Sequence, residues 1–423
     1  MSKDVKKSLL PKLRFPEFKE AGAWKQLPIG KKVDLLSGYP FKSSEISEDA
    51  SGIPLMRGIN ITEGIIRHSK DMDRYYLGST DQLEKYFVQT NDLVIGMDGS
   101  KVGKNSALIT DDDAGSLLIQ RVARLRTSCK ATISFIFQHI HSTKFHSYVD
   151  RINTSGGIPH ISAKQINEFE ICFPPVEKEQ QKIADCLSSV DELITAQAQK
   201  VDALKAHKKG LMQQLFPAEG ETIPKLRFPE FQDAGEWTEG VLGDVGKVSM
   251  CKRIMKHETS ESGDIPFYKI GTFGKTPDAY ISKELYDLYR GKFSFPKRGD
   301  ILISASGTIG RTVVYDGNPA YFQDSNIVWL DNDESLVSNA FLAYIYQRTK
   351  WVTDNNTIAR LYNDNLRGIE IIFPSPPEQQ KIADCLSSVD DLISSQAQKL
   401  DALKAHKKGL MQQLFPTPDE VDG

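Results

Sequence analysis

The chain has 423 residues, of which 39% are hydrophobic, and its formal net charge is −3. That is enough apolar content for two or three packed domains, but no run of 18 apolar residues exists, which excludes a membrane-spanning helix. A near-neutral charge argues against a stand-alone nucleic-acid backbone binder; such binding requires basic residues gathered on one surface or supplied by a partner.

The opening MSKDVKKSLLPK has no apolar signal core, so a cytoplasmic location is expected. The five cysteines include no CxxC pair, which supports neither a disulfide framework nor a zinc site.

Taken in order, the chain repeats itself. Residues 1–26 form a strip whose PKLRFPEF (11–18) recurs as PKLRFPEF at 224–231. The match continues through Ala21, Gly22, Trp24 and Gly30 against Ala234, Gly235, Trp237 and Gly243. Pro16 and Pro229 hold an extended path, with Phe15, Phe18 and Trp24 as packing anchors. The first globular domain covers 27–175. Strands are expected at 53–58, 92–97, 106–110, 117–125 and 169–173, and one helix at 135–150.

A long helix follows at 176–217. Its stretch 181–217 is repeated at 380–416 with four conservative differences. Neither copy contains Pro or Gly before Gly210 or Gly409. Ile183, Leu187, Val190, Ile194, Val201, Leu204, Leu211 and Leu215 follow a heptad seam broken by Gln197 and Lys208. The second seam is Ile382, Leu386, Val389, Ile393, Leu400, Leu403, Leu410 and Leu414, broken by Gln396 and Lys407. Two such helices in one chain predict an antiparallel coiled coil, because a narrow amphipathic helix is unstable alone.

The repeated strip occupies 218–239 and a second globular domain 240–375. Strands are expected at 265–270, 300–305, 311–315, 326–330 and 369–373, and a helix at 340–348. The second long helix spans 376–416, and 417–423 is a tail. The element order predicts one mixed α/β fold used twice, although the two domains differ in sequence. Each has a glycine hairpin after a buried strand, DLVIGMDGSKVGK (92–104) and DILISASGTIGR (300–311). Each has a polar loop before its closing strand, at 151–165 and 353–365, where His160 aligns with Arg360. These loops suit variable recognition.

Catalytic motifs are missing. GSKVGKN (99–105) lacks P-loop spacing, and NPAY (318–321) has no accompanying glycine-rich cofactor loop. No HxExxH, GxSxG or closely spaced His/Cys set appears, so no active site is expected.

The twin strips, the two divergent domains and the segments FPPVEKEQQKIADCLSSVDELI and FPSPPEQQKIADCLSSVDDLI resemble the specificity subunit of type I restriction-modification systems. The resemblance covers essentially the whole chain and centres on P-P-x-x-E-Q-x-x-I-A-x-x-L; the first copy, at 174–187, carries one inserted residue, and the second, at 376–386, is shorter. It implies an α+β protein with two target recognition domains in pseudo-symmetric repeat, separated by the two long helices. Each domain would read half of a split, asymmetric double-stranded DNA target. The subunit would carry no cofactor itself. It would recruit two adenine-N6 methyltransferase subunits using S-adenosylmethionine, and motor-nuclease subunits using ATP and Mg.

Sequence reading needs polar and basic side chains at base edges and phosphates. Candidates in the first domain are Arg57, Arg67, Lys70, Arg74, Lys101, Lys104, Asn153 and His160. In the second they are Lys252, Arg253, Lys256, Lys269, Lys297, Arg298, Arg311, Asn355, Asn356, Arg360 and Asn363. The alternative from another class is a tandem-repeat adaptor that binds proteins; a gel shift with random DNA separates the two. A stand-alone methylase or nuclease comes third.

Overall fold

The computed structural model describes residues 9–153, 158–351 and 360–416. The chain divides into two units, the first built from residues up to Gln199 together with those from Ala397, the second from Lys200–Gln396. Both division points fall inside long helices.

In unit 1 the elements are β1 (Lys25–Pro28), β2 (Asp34–Ser37), β3 (Ile46–Ser47), β4 (Ile53–Met56), β5 (Tyr75–Tyr76), β6 (Leu93–Gly96), β7 (Ser106–Leu108), β8 (Leu117–Leu118), β9 (Val122–Arg126), α1 (Lys130–Ile140), α2 (Thr143–Ile152), α3 (Ala163–Glu168), β10 (Glu170–Phe173) and the start of α4 (Glu177–Leu215). In unit 2 they are β11 (Thr238–Val241), α5 (Leu242–Val245), β12 (Gly246–Ser249), β13 (Ile265–Tyr268), β14 (Tyr280–Ile281), α6 (Lys283–Lys292), β15 (Ile301–Ser304), β16 (Thr312–Val314), β17 (Tyr321–Phe322), β18 (Ile327–Asn332), α7 (Asn339–Arg348), α8 (Asn363–Arg367), β19 (Glu370–Phe373) and the start of α9 (Pro376–Leu414).

The two units share a topology. Antiparallel sheets run β2-β9-β6-β7 and β12-β18-β15-β16. Smaller sheets run β3-β5-β4-β8 and β14-β13-β17, with one parallel pair in each. The continuation of each strip pairs with the closing strand, Lys25 opposite Phe173 and Thr238 opposite Phe373.

The apolar runs of β6 and β15 follow from their place between two cores. Leu93 and Ile95 face the core built with the helices, whereas Val94 faces the other one. Ile301 and Ile303 alternate with Leu302 in the same way. Successive strand residues point to opposite faces, so a strand covered on both faces reads as continuously hydrophobic.

Two expected elements divide. The 135–150 helix is α1 and α2, broken at His141; the Ser142 hydroxyl caps α2 by accepting from Phe145 N–H, which starts a new helix rather than extending the old one. The 117–125 strand is β8 and β9, separated where Arg121 turns left-handed at φ 67°.

The repeated strips are fastened to the long helices through ion pairs. Arg14 donates twice to Glu179 at 2.7 Å, and Trp24 Nε1 donates to the same carboxylate at 3.3 Å. Arg227 donates twice to Glu378 at 2.7 Å. Both carboxylate side chains are 1% exposed. The next residue anchors the domain. Gln180 accepts from Thr132 at 2.9 Å, and Gln379 accepts from Ser338 N–H at 2.9 Å. The Glu-Gln pair of the repeated motif therefore joins strip, domain and helix in each unit.

Within each unit the two helix segments run antiparallel. In unit 1, Ile183 and Leu187 share a core with Leu414 and Phe415, while Asp191 lies against Lys407. In unit 2, Leu215 and Phe216 share a core with Ile382 and Leu386, while Lys208 lies against Asp390. Charge supports this direction. From Glu177 to Gln199, α4 carries Glu177, Glu179, Asp185, Asp191 and Glu192 against Lys178 and Lys182; its remainder carries Lys200, Lys205, Lys208 and Lys209 against Asp202. Helix α9 repeats the gradient. Antiparallel pairing sets each acidic half beside a basic half, and the gradient also suits the helix macrodipole. The seam is buried at Ile183, Leu187, Val190, Val201, Leu215, Ile382, Leu386 and Leu414, and half-buried at Ile194, Leu204, Leu211, Val389, Ile393, Leu400, Leu403 and Leu410. Among the described residues no helix is long and apolar enough to cross a membrane.

Candidate nucleic-acid interface

In each unit three separate segments meet at one end of the central sheet. In unit 1 they are the glycine hairpin after β6, the turn before β9 and the loop before α3. Met97 N–H donates to Arg121 C=O at 2.9 Å, Ile161 N–H to Met97 C=O at 2.9 Å, and Gly99 N–H to Pro159 C=O at 3.1 Å. A backbone bridge joins Asp98 to His160. The hairpin needs glycine at Gly103, where φ is 73° and a Cβ would lie 2.8 Å from Val149.

Unit 2 builds the same junction from different residues. Ala305 N–H donates to Asn326 C=O and Leu361 N–H to Ala305 C=O, both at 2.8 Å. A bridge joins Ser306 to Arg360. Ser325 turns left-handed at φ 55°, one residue before Asn326, which takes the place that Arg121 holds in unit 1. Positive φ is uncommon away from glycine; each turn before the strand contains one such residue, at neighbouring rather than equivalent positions.

The side chains on these two frames differ. Unit 1 presents Arg121, 67% exposed and held by Asp98 at 2.8 Å, beside exposed His160. Unit 2 presents Arg360, which donates to Ser325 C=O at 3.1 Å, and Arg253, 66% exposed and bonded to Asp324 at 2.8 Å. Ser306 Oγ donates to Asn326 Oδ1 at 2.9 Å. A cavity of about 450 Å³ lined by Arg253, Lys256, Lys269, Asp324 and Asn326 adjoins one lined by Arg360, Tyr362 and Asn363, with Ser325 in both. The result is two matched scaffolds carrying unlike polar surfaces.

Comparison with known proteins decides the family. Residues 37–206 and 234–405 each match the family described as the type I restriction modification DNA specificity domain. The chain belongs to that family. It is 61% identical over 155 residues to a putative type I restriction enzyme specificity subunit of Haemophilus influenzae, an alignment covering 36% of this chain and 40% of that protein. The aligned stretch thus spans less than half of the Haemophilus protein. Identity is 24% over 361 residues to a type I restriction enzyme specificity subunit of Methanocaldococcus jannaschii, covering 78% of this chain and 80% of that one. The crystal structure of a type I restriction-modification S subunit from M. genitalium has the same fold, with a TM-score of 0.59 at 18% identity, covering 97% of this chain and 100% of that one.

In this specificity-domain chain the remaining candidates fall into distinct places. Arg57, Arg67, Lys70 and Arg74 lie on the segment between β4 and β5. Arg57 donates to Met72 C=O at 2.9 Å, and its pKa is lowered, first by burial and then by Arg74. Arg74 is bonded to Glu48 at 2.8 Å, whereas Arg67 and Lys70 are exposed. Lys101 pairs with Glu63 at 3.1 Å, and Lys104 is half-buried. Lys252 stands 5.3 Å over the Phe293 ring, and Lys269 pairs with Asp278 at 2.8 Å.

Several candidates do not join the junction. Lys297 and Arg298 precede β15, whereas Ser306 follows it, so they sit at the strand's other end; Lys297 pairs with Asp331 at 3.1 Å. Arg311 turns inward, stacked 5.6 Å from the Phe273 ring and donating to Ile270 C=O, because it follows the hairpin directly into β16. Asn153, by contrast, is bonded into the junction. It accepts from His160 N–H at 2.6 Å and donates to Val149 C=O at 2.8 Å. Asn355 and Asn356 lie outside the described residues.

Sequence reasoning missed Arg121, Asp98, Asp324, Ser325 and Asn326. The polar pair Gln120-Arg121 inside an apolar run and the turn-forming DSN at 324–326 were the available signals. Among the described residues no group of three His, Cys, Asp or Glu converges to hold a metal.

Proposed function

We propose that this chain is the non-catalytic DNA-reading subunit of a type I restriction-modification complex. Its recognition domains, residues 27–175 and 240–375, each read one half of a split, asymmetric duplex target. The observation that carries this reading is the junction built twice on one frame with unlike side chains, Arg121 and His160 in one case, Arg253 and Arg360 in the other. Arginine, lysine and asparagine are among the side chains that distinguish base edges in the major groove, and a histidine ring nitrogen can donate or accept there. The other basic candidates would contact phosphates and set position without carrying sequence information.

The repeated scaffold recruits two copies of one methyltransferase subunit, with motor-nuclease subunits joining that core. Support comes from exposed apolar residues that recur in both copies. Leu13 and Leu226 are 44% and 43% exposed, and Leu193 and Leu392 are 58% and 43% exposed. Packing of the chain itself does not account for them. S-adenosylmethionine, ATP and Mg belong to those partners, in the cytoplasm.

The test is a domain exchange. Replacing residues 27–175 with the matching domain of a relative, in complex with the methyltransferase, changes one half of the methylated sequence and leaves the other half intact. A simultaneous change in both halves refutes modular reading. A purified complex that fails to shift any duplex would favour the protein-binding adaptor instead.

A further inference from the structure

Unit 1 contains a cavity of about 410 Å³ at the junction of α1 and α2, against the last turns of α9. Six charged residues line it: Glu63, Lys144, Asp191, Lys404, Lys407 and Lys408. Asp191 is engaged by Lys407 at 2.7 Å, and Glu63 by Lys101 at 3.1 Å. Lys144, Lys404 and Lys408 have no carboxylate partner among the described residues, so the described lining carries four lysines against two carboxylates. The first turn of α2, with Ser142 as its cap, lines the same space and adds the positive end of a ten-residue helix. His139 also lines it; the residue is 5% exposed, and its Nε2 has no hydrogen-bond partner.

The repeat has a lysine at the matching place, on an exposed carboxylate. Thr143-Lys144 after α1 corresponds to Thr349-Lys350 after α7. Lys350 binds the Glu219 carboxylate at 2.8 Å. In unit 2 the preceding residue is Arg348, which donates to Met212 and Pro217 C=O at 2.8 Å and lies 4.8 Å over the Phe216 ring. Unit 1 has the much smaller Ser142 there, and the counterparts Met411, Phe415 and Pro416 line an open space. Substituting serine for arginine removes the plug, while the lysine that binds an anion is retained.

We propose that this cavity binds a small phosphorylated ligand, its phosphate held by Lys144, Lys404 and Lys408 at the start of α2. Three ammonium groups without a carboxylate partner among the described residues match a phosphate dianion. The walls of Ile171, Ile194, Met411 and Phe415 accept a compact organic body, and the volume lies in the usual range for small-molecule sites. The site does not depend on the DNA reading, and its test uses no sequence-specific binding.

The experiment is calorimetric titration of the full chain with inorganic phosphate and with adenosine monophosphate. Saturable binding is expected, weakened roughly tenfold or more by Lys144→Gln and by the pair Lys404→Gln/Lys408→Gln. The control pair Lys205→Gln/Lys209→Gln, at the matching places of α4, is expected to bind like the natural chain. Thermal unfolding checks that each variant folds; if Lys144→Gln does not, the Lys404/Lys408 pair decides. Persistence of phosphate binding in the presence of a short random duplex supports a small ligand; displacement by that duplex would make a DNA backbone the occupant and overturn the proposal. The proposal is overturned by absence of saturation up to about 10 mM, or by natural-strength binding in the well-folded variants. It is also overturned by binding that emerges only when the chain is shortened after Pro416.

Discussion

Lys407 on α9 donates to Asp191 on α4 at 2.7 Å, and the repeat reproduces the contact as Lys208 on Asp390 at 2.8 Å. The lysine side chains are only 12% and 15% exposed. They are two of the four residues that interrupt the heptad seams, and these two interruptions are paired contacts. A half-buried ion pair at a seam position fixes which turn meets which, since a shifted register strands both charges. The Asp391 and Glu192 neighbours are exposed and make no such choice.

Asp191→Ala is expected to cost unit 1 about 2 kcal/mol, because Lys407 is then left half-buried without a counter-charge. The double variant with Lys407→Ala should recover part of this. A double-mutant cycle by denaturant unfolding measures the coupling, expected above about 1 kcal/mol. A coupling near zero would mean that the pair does not specify register.

Arg14→Ala is expected to cost more, about 3 kcal/mol or above, since Glu179 is 1% exposed and loses both of its guanidinium bonds. Glu179 would keep only the Trp24 indole N–H, at 3.3 Å. Arg227→Ala leaves Glu378 without even that, because Trp237 Nε1 has no hydrogen-bond partner. Unit 2 should therefore suffer at least as much as unit 1. Equal stability of both variants and the natural chain in urea would show the strips to be dispensable.

The limits of what was legible in the sequence follow from how far each signal travels along the chain. The helices, their seams and their pairing were readable, because periodicity and near-identity are local and repeated. The buried strands β6 and β15 were readable as apolar runs. The break at His141–Ser142 was hidden by helix-compatible residues on both sides, and only the serine hinted at a cap. The junction was half legible: glycines marked the hairpins, and alignment placed His160 against Arg360. Arg121 was lost inside an apparent strand, because a left-handed turn at a non-glycine residue is imposed by tertiary bonds from Met97 and has no strong local signature. Arg14 and Glu179 lie 165 residues apart, so nothing local linked them.

Acid should destabilise unit 1 through its buried imidazoles. Burial holds His139 at about 3 and His141 at about 4, against an ordinary 6.5. The unfolded chain takes up these protons first, so the stabilisation is complete above about pH 6.5 and is lost as pH falls toward the folded values. Each group contributes a slope of up to about 1.4 kcal/mol per pH unit in that window. The matching position in the other unit is Ile345. His139→Ile should flatten the dependence by about one proton between about pH 6 and pH 4. Urea unfolding across that range measures it; an unchanged slope would show that His139 is not neutral in the folded chain.

Point changes at the junctions should separate the two half-sites. Arg121→Ala is expected to relax or weaken reading of one half-sequence, and Arg360→Ala the other, each by roughly 1–3 kcal/mol at the positions affected. Lys101→Ala should instead weaken all duplexes alike and reduce the salt dependence by about one phosphate contact. Methylated-site mapping with the reconstituted complex reads both effects. Loss confined to the same half for Arg121→Ala and Arg360→Ala would contradict one domain per half-site.

The long helices provide the final prediction, because α4 and α9 each pass from one unit into the other and each is 39 residues long. Four residues inserted after Gln199 and four after Gln396 leave the contacts inside each unit intact, including Asp191 with Lys407 and Lys208 with Asp390. Each insertion lengthens its helix by about 6 Å and returns the seam to within roughly 40° of its face. At about 3.4 Å per base pair along one strand, the gap between half-sites should widen by one to two base pairs, with both half-sequences unchanged. A two-residue insertion turns the apolar face about 160° away, so it should unfold the pair and abolish methylation. Mapping methylated sites across a genome distinguishes these outcomes. A well-folded four-residue variant that keeps the original gap would show that the spacing is set elsewhere, in the recognition domains or in the partner subunits.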